Sequence, residues 1–173
     1  PNEMAQIAFE QVVPNYRNTW EVEQLHWLLF QQLLSIPKDP EFALLKGFQS
    51  SNKELKSFQL AKHLSNLFDQ YDVFRPEMTQ DWEEGKEKNW QSRLYLALPE
   101  EVRAWRKSKV LDLFKRHLRS MDLEKITLPV RISFFGISYL PPFHLEVIQG
   151  LSQILDVHFF FLNPSPHYWA DLV

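Results

Sequence analysis

Apolar residues recur at helical spacing over most of the chain up to about residue 121. The clearest case is residues 52–74, where an apolar set and a polar set each repeat every three or four positions. The apolar set, which we expect to face the core, is Leu60, Leu64, Leu67, Phe68 and Tyr71. The polar set is Gln59, His63, Asn66 and Gln70. This pattern predicts one long amphipathic helix that ends at Arg75-Pro76, because proline cannot continue a helix.

Shorter helices are predicted on both sides of this segment. They cover residues 18–36, 40–48, two parts of 77–98, and 106–121. Asn18-Thr19 is expected to cap the first of them, because short polar side chains accept hydrogen bonds from the first backbone N–H groups of a helix. The helix at 106–121 should turn these side chains inward: Val110, Leu111, Phe114, Leu118 and Met121.

Towards its end the chain has two short, almost wholly apolar runs, residues 130–135 and 157–162, separated by a predicted helix at 143–154. A strand–helix–strand unit of this size has parallel strands. Strands this apolar are usually buried on both faces. Further strands should therefore come from sequence outside this chain. We therefore predict an α/β, mostly helical protein, with a helical subdomain at 1–125 and a strand–helix–strand at 126–173.

The composition indicates a folded protein and removes several kinds of site. The chain has 173 residues, of which 45% are apolar and 14% aromatic, and this excludes intrinsic disorder. It has no cysteine, which excludes disulfides, thiolate metal sites and cysteine nucleophiles. No apolar run approaches the ~20 residues that span a bilayer, and the acidic start lacks a secretory signal. We expect a cytoplasmic protein without membrane contact and, because the chain does not begin with Met, a piece of a longer one.

Charge is distributed unevenly, although the net charge is only −3. Residues 103–119 contain seven Lys and Arg against one acid, Asp112. Such a segment indicates an anionic partner if its cations are free, or a solvated helix face if they pair with acids from elsewhere. Under the first interpretation Lys107, Lys109 and Arg116 contact DNA phosphates, and binding weakens as salt rises.

No arrangement of residues predicts catalysis or cofactor binding. The four glycines form neither a phosphate-binding loop nor a dinucleotide fingerprint. Gly136 follows the first predicted strand, where an ATPase carries the acids that hold magnesium. The six histidines show no metal-ligand spacing, and no Gly-x-Ser-x-Gly turn is present. We therefore predict no catalytic residue, no metal site and no cofactor.

The polar side of the long helix and the aromatic residues after it each have two interpretations. Asn66, Asp69 and Gln70 should lie near the rim of the helix, where amides and a carboxylate can reach the edges of unstacked bases. The plainer interpretation is the solvated side of a helix. A second group can stack on bases but is more usually found in a core: Trp82, Trp90, Trp105 and Tyr95.

Several motifs together resemble one protein family. They are FQL at 58–60, LFDQYDVFRP at 67–76, FGISYLPP at 135–142, FFLNP at 160–164 and HYWAD at 167–171. Their order and most of their spacing are similar to those of the RecC family, the gamma chains of exodeoxyribonuclease V. The resemblance covers most of the chain from about residue 12 onward.

This resemblance implies a role in a larger DNA-repair assembly. RecC proteins are long chains of helicase-like domains that have lost their ATP-binding motifs, and they assemble with the RecB helicase–nuclease and the RecD helicase. They split duplex ends, hold single strands in channels and scan the 3′-ended strand for the Chi sequence. The chain would then be the helical insertion of an inactive helicase-like, P-loop-type domain, followed by a strand–helix–strand of that parent domain.

The resemblance also implies particular DNA-binding residues. The surface that contacts Chi in the family includes the helix that carries LFDQY, and Leu67 and Asp69 match that motif. Asn66 stands where the family pattern has an acid. Lys107 corresponds to the basic residue that precedes a later helix.

Two other classes of function remain open at this point. The first is the AddB type of helicase–nuclease subunit, which belongs to the same superfamily and which the FGISYLPP motif disfavours. The second is a helical protein–protein docking module whose basic segment binds an acidic partner protein. Salt-dependent binding of single-stranded DNA would distinguish a DNA-binding segment from a docking module.

Overall fold

The computed structural model describes residues 2–37, 39–120 and 127–162, which are mostly helical and include a two-stranded parallel sheet. The α-helices are α1 Asn2–Val12, α2 Val22–Leu34, α3 Ala43–Gln49, α4 Lys53–Phe74, α5 Pro76–Glu83, α6 Trp90–Leu96, α7 Glu100–Arg103, α8 Lys107–Leu118 and α9 Pro142–Leu151. A 3₁₀ turn at Pro40–Phe42 leads into α3. The strands are β1 Arg131–Phe135 and β2 Asp156–Phe160. Across the described ranges, no helix has the length and apolarity needed to cross a bilayer.

α4 is the predicted long helix, and it begins and ends where the sequence indicates. The Asn52 side chain accepts a hydrogen bond from the Leu55 backbone N–H at 3.2 Å and so caps the first turn. Arg75 closes α4, and Pro76 begins α5. The short helices predicted at 40–48 and within 77–98 are also confirmed, as α3 with its preceding turn and as α5 and α6.

The buried face of α4 is shifted from the predicted stripe. Leu64 and Phe68 are buried as expected, whereas Leu60, Leu67 and Tyr71 are half-buried against the same core. The rest of the buried face consists of small and polar residues and one valine: Ser57, Ala61, Ser65, Asp72 and Val73. Because small side chains lie along its centre, α4 can approach its neighbours closely.

α2 lies antiparallel against α4. At one end of the pair the Lys53 ammonium donates to the Leu34 carbonyl, and further along the His26 ring lies 4.5 Å from the ring of Phe58. The cap predicted for α2 is wrong. α2 begins at Val22 with Glu21 as its N-cap residue, and Asn18 instead donates its amide to the Glu21 carboxylate.

Two helices have no counterpart in the sequence prediction. α1 buries only one large ring, Phe9, together with Ala5, Ala8 and Val12, so its apolar stripe is weak in the sequence. α7 is only four residues long, which is too short to show a period. Both are therefore specified mainly by the surfaces that they contact.

Two hydrophobic clusters organise the helices. The first joins α1, α8 and α9 through Phe9, Phe114 and Val147 among others. The second joins α2, α4, α5 and α6, and Trp82 and Tyr95 are fully buried there with ring centroids 5.5 Å apart. The core interpretation of these two aromatic residues is confirmed.

Trp90 and Trp105 are half-buried, the former against the second cluster and the latter against the first. The inward positions predicted for α8 are confirmed where the structure describes them: Val110, Leu111, Phe114 and Leu118. Met121 lies outside the described residues, as do the motif residues 163–171.

Gly150 allows α9 to lie directly on α8. A Cβ at this position would be 2.6 Å from Cε1 of Phe114 and 3.0 Å from Cδ1 of Leu118. Glycine at this position therefore allows the close packing of α8 and α9. It is not needed for an unusual backbone conformation, because Gly150 lies in regular helix.

The two strands pair in parallel, as predicted, from Arg131 opposite Asp156 to Phe135 opposite Phe160. Phe134 is the only residue of the two strands that is buried. The side chains of Phe135 and Phe160 stack with centroids 4.5 Å apart but remain 69% and 51% exposed. Among the described residues, these strands therefore lack the cover that their apolar sequences predict.

Candidate nucleic-acid interface

A cavity of about 500 Å³ lies where α1, the start of α2, the middle of α4 and the first turns of α8 and α9 meet. Its apolar and aromatic lining residues are Ala5, Phe9, Tyr16, Trp20, Val22, Trp105, Val110 and Phe143. Its polar lining residues are Asn2, Gln6, Asn18, Glu21, Glu23, Asn66, Asp69 and Lys107. The cavity therefore combines aromatic walls with hydrogen-bonding edges.

Three of the predicted DNA-binding residues meet in this cavity. Asn66 and Asp69 lie three positions apart on α4, so they share one face of that helix. Lys107, at the start of α8, places its ammonium 2.7 Å from both carboxylate oxygens of Asp69. The pair is partly exposed, and it gives the cavity a donor and an acceptor side by side.

The other two predicted residues of α4 lie outside the cavity lining. Leu67 is half-buried and packs against the second hydrophobic cluster. Gln70 is exposed, one position beyond Asp69, and is turned about 100° away from it around the helix. The predicted rim positions of Asn66 and Gln70 are thus confirmed, and Asp69 is less exposed than either of them.

Lys109 and Arg116 also lie apart from the cavity. Lys109 is about 200° around α8 from Lys107 and pairs with Glu83 of α5 at 2.8 Å. Arg116 is exposed, and its Nε lies 3.4 Å from the Asp112 carbonyl. The three cations therefore point to different surroundings.

The basic segment 103–119 is largely neutralised by acids from other helices. The described ion pairs are Arg103 with Glu83, Arg106 with Asp72 and Glu83, Lys107 with Asp69, Lys109 with Glu83, and Lys115 with Glu146. Arg116 and Arg119 have no carboxylate partner within the part of the chain that the structure describes. This geometry favours a charge-paired helix face over a continuous basic stripe.

The pair of Arg106 and Asp72 is buried and joins α4 to the start of α8. Nη1 of Arg106 donates to Oδ1 of Asp72 and to the Thr79 hydroxyl, both at 2.7 Å. The other Asp72 oxygen accepts the backbone N–H of Ser108 at 2.9 Å. Arg106, the N-cap residue of α8, supplies no side-chain cap, so Asp72 of α4 performs that role. Burial alone would lower the pKa of Arg106, but the Asp72 carboxylate, together with Tyr95 and Glu83, outweighs burial, so the pKa is raised.

Two aromatic side chains from the connection between α1 and α2, Tyr16 and Trp20, line the cavity. Trp20 is almost fully buried, and its indole N–H has no hydrogen-bond partner among the described residues. Tyr16 and Trp105 meet edge to face with centroids 5.8 Å apart. Burial raises the pKa of the Tyr16 hydroxyl, and the charges of Glu10 and Glu21 add to that effect.

Sequence reasoning missed the contribution of these aromatic residues. Tyr16, Asn18 and Trp20 lie between two helices and follow no period, so a pattern of spacing cannot find them. The signal that was available is an aromatic-polar-aromatic run before a helix, which is also typical of a loop that packs on a core. The two rings are placed by contacts with residues far away in the sequence, Tyr16 with Trp105 and Trp20 with Tyr95.

The cavity brings aromatic and polar side chains together in one lining. Aromatic rings supply stacking surfaces, and the amide, carboxylate and ammonium groups supply directional contacts. Among the described residues, no group of three or more His, Cys, Asp or Glu is placed to hold a metal ion.

Comparison with known proteins identifies the family. The chain matches the family model described as RecC, N-terminal domain, over residues 1–173. It is 30% identical to the RecBCD enzyme subunit RecC of Escherichia coli (strain K12) over 179 residues, which cover 95% of this chain and 16% of that protein. It is 28% identical to the subunit of the same name from Haemophilus influenzae over 188 residues, which cover 90% of this chain and 17% of that protein.

A third relative gives a similar result. The RecBCD enzyme subunit RecC of Mycolicibacterium smegmatis is 30% identical over 131 residues, covering 73% of this chain and 11% of that protein. The chain therefore belongs to the RecC N-terminal domain family. It spans about a sixth of the length of the Escherichia coli and Haemophilus influenzae relatives.

Proposed function

We propose that this chain is a non-catalytic DNA-binding and scaffold segment of a RecC-like subunit of exodeoxyribonuclease V. In this role it guides single-stranded DNA and contributes to the recognition of a Chi-like sequence during the repair of double-strand breaks. Its relatives are each described as a subunit of the RecBCD enzyme. The proposed partners are therefore RecB-like and RecD-like subunits in the bacterial cytoplasm, together with a duplex end and its 3′-ended strand.

The observation that carries this proposal is the meeting of Asn66, Asp69 and Lys107 in one aromatic-walled cavity. An amide and a carboxylate read the donor and acceptor pattern of a base edge, which a single strand presents when its bases are unstacked. The volume of about 500 Å³ lies within the range of sites that enclose small planar ligands. A base extruded from the strand fits this description better than a backbone phosphate does.

The remaining predicted residues take supporting parts in the proposal. Leu67 packs against the second hydrophobic cluster, and Gln70 extends the polar surface beyond Asp69. Arg116 is exposed and is the cation of the predicted three that is most open to a phosphate. Lys109 is held by Glu83, so it contributes to the fold more than to DNA binding.

We also propose that the chain consists of a helical insertion at 1–125 and a part of its parent domain at 126–173. The parent would be an inactive helicase-like domain of P-loop type. Two features support this: β1 and β2 are parallel with exposed aromatic side chains, and Gly136 follows β1 with a φ of +62°. An active domain of this type carries metal-binding acids at that point, and here the sequence continues Gly136-Ile137-Ser138.

The test compares sequence-specific and general DNA binding in the full-length protein assembled with its partner subunits. Asn66→Ala and Asp69→Ala should weaken the response to the recognised sequence by about 1–3 kcal/mol while leaving general binding and unwinding nearly unchanged. Gln59→Ala, on an exposed part of the same helix outside the cavity, is the matched control.

Two outcomes would contradict the proposal. Equal losses on every DNA sequence would mean that Asn66 and Asp69 support the fold or grip the backbone. Unchanged DNA binding together with impaired subunit assembly would favour the docking-module alternative. The observation that supports this alternative is the extensive pairing of cations in 103–119.

A further inference from the structure

An aromatic surface lies on the seam between α2 and α4 and has no part in the cavity described above. It consists of His26, Trp27 and Phe30 from α2 and Phe58 from α4, and we call it the aromatic seam. The Trp27 ring lies 5.9 Å from that of Phe58 and nearly parallel to that of His26, at 5.7 Å. Phe30 meets Phe58 edge to face at 5.6 Å.

Trp27 is positioned by these neighbours but remains open to solvent. It is 56% exposed, whereas Trp20 and Trp82 are 3% and 1% exposed. The His26 ring, which stacks on Trp27, is itself fixed because its Nε2 lies 3.1 Å from the Phe58 carbonyl oxygen. A large ring held in place with one side free is the arrangement that stacking on a base requires.

A cation without an acidic partner stands beside the aromatic seam. Because steps of three and four residues return to the same side of a helix, one face of α4 carries in order Phe58, Lys62, Asn66 and Asp69. Lys62 is exposed, and no carboxylate of the described residues pairs with it. It differs in this from the paired cations of α8, and it can approach a phosphate without first breaking an ion pair.

The aromatic seam is continuous with the cavity. On α2, Val22 and Glu23 line the cavity, and Trp27 follows Glu23 after one turn, about 6 Å along the helix. On α4, Asn66 lines the cavity, and Phe58 lies eight residues before it, about 12 Å along the helix. That distance equals about three to four bases at the ~3.4 Å spacing of a stacked strand.

We propose that the aromatic seam is a second subsite for single-stranded nucleic acid, in which one base stacks on Trp27 and Lys62 contacts a neighbouring phosphate. This inference rests on the proposed function, because it takes the cavity as the place where another base of the same strand lies. Stacking on Trp27 accepts any base, since every base has a flat aromatic face. The subsite therefore holds the strand in place while the cavity provides base-specific contacts.

The choice of nucleic acid over a protein partner follows from the chemistry of the surface. The seam offers an exposed indole ring, an ammonium group without a carboxylate partner among the described residues, and continuity with a cavity whose polar edge carries amides and carboxylates. An apolar protein surface would use only the aromatic part of this set, whereas a single strand uses both the indole ring and the Lys62 ammonium. Protein docking is therefore an outcome that the experiment must separate.

The experiment uses the full-length protein in its assembled complex and a duplex with a 3′-ended oligothymidine tail. Trp27→Ala should raise the Kd for the tailed duplex about 5- to 150-fold, with no preference for a particular tail sequence. Trp27→Phe should recover part of that loss, because it keeps a stacking ring. Leu44→Ala, a change at an 83% exposed position on α3, is the control and should leave the Kd unchanged.

Salt dependence tests the phosphate contact separately. Lys62→Ala should reduce the slope of log K against log salt by about 0.7, the value for one phosphate on a single strand, and Lys62→Arg should restore it. A tail with iodouracil three or four positions from the base in the cavity should crosslink to Trp27.

The possible failures are distinguishable. If Asn66→Ala alters sequence response but Trp27→Ala and Lys62→Ala leave Kd and salt slope unchanged, the second subsite is refuted and the cavity proposal stands. If Trp27→Ala instead releases a partner subunit while the assembled fraction binds the tail normally, the seam is a protein interface and the inference is wrong. If Asn66→Ala leaves the response to the recognised sequence unchanged and Trp27→Ala leaves the Kd for the tailed duplex unchanged, both proposals fail.

Discussion

α4 contacts α8 on one side and α2 on the other, and different forces hold the two seams. The α4–α8 seam is built on ion pairs, Lys107 with Asp69 and Arg106 with Asp72. The α2–α4 seam is built on buried leucines such as Leu29 and on aromatic rings, and its charged groups remain at the edge.

The difference between the two seams shows how misleading charge density along a sequence can be. The segment 103–119 is rich in cations, but its partners on other helices neutralise most of them. Lys62 attracts no attention in the sequence, but the structure leaves it exposed without a carboxylate partner among the described residues. The capacity to bind an anion depends on which charges are unpaired in space.

The largest effect on stability is expected when the ion pairs of the α4–α8 seam are broken. Asp72→Ala leaves the buried Arg106 guanidinium without its carboxylate and removes the cap of α8. It should lower the free energy of unfolding by about 3–5 kcal/mol. Urea unfolding followed by circular dichroism measures this, and Asp112→Ala, at an exposed site on α8, should change stability by no more than about 0.5 kcal/mol. A loss below about 1 kcal/mol for Asp72→Ala would show that water or another group replaces the carboxylate.

The α2–α4 seam should separate into a structural part and an open part. Leu29 is fully buried, so Leu29→Ala should cost about 2–5 kcal/mol through lost burial and the cavity left behind. Trp27→Ala should cost only about 1 kcal/mol or less, because more than half of that side chain is exposed. The same unfolding measurement applies. Equal costs for the two changes would mean that Trp27 is a structural element of the seam.

A smaller effect should distinguish paired from unpaired cations. Lys109→Ala removes a partner of Glu83 at the surface and should cost about 0–1 kcal/mol of stability without changing the salt dependence of DNA binding. Arg116→Ala should leave stability unchanged and reduce the slope of log K against log salt by about 0.7 for a single strand. Titrations of the assembled complex at several salt concentrations measure both. A changed slope for Lys109→Ala alone would mean that Lys109, and not Arg116, contacts a phosphate.

The smallest effect concerns pH and lies outside both seams. Burial of His144, together with the positive charge of Lys107, lowers the pKa of its imidazole. The unfolded chain then binds the proton more tightly, so the free energy of unfolding should fall as the pH drops below the ordinary histidine value of about 6.5. The slope cannot exceed about 1.4 kcal/mol per pH unit for one proton. His144→Gln keeps a polar partner for Asn2 and should flatten the profile; an unchanged profile would show that another group is responsible.

The sequence predicts best what is local. The start of the long helix near Asn52, its stop at Pro76 and the parallel pairing of β1 with β2 each follow from patterns along the chain, and the structure confirms them. The cap predicted at Asn18 is wrong because the Asn18 amide donates to Glu21, a choice that local preference alone does not decide.

The candidate site could be predicted only in part. The resemblance to the RecC family singles out Asp69 and Lys107, but the contact between them joins residues 38 positions apart, and spacing alone does not show it. Trp20 and the aromatic seam were not predicted, because the sequence does not show whether an aromatic residue lies in the core or on the surface. What decides between these roles is exposure, which is a property of the packed molecule.

The cap that Asp72 provides for α8 has a consequence for how the chain is made. α8 has twelve residues and no side-chain cap of its own, and a helix of that length is marginal in water when isolated. A ribosome releases α4 before α8, so the carboxylate that completes the first turn of α8 is already present when that segment emerges. A circularly permuted gene that encodes α8 ahead of α4 would remove this advantage, and its product should fold more slowly although every native contact could still form.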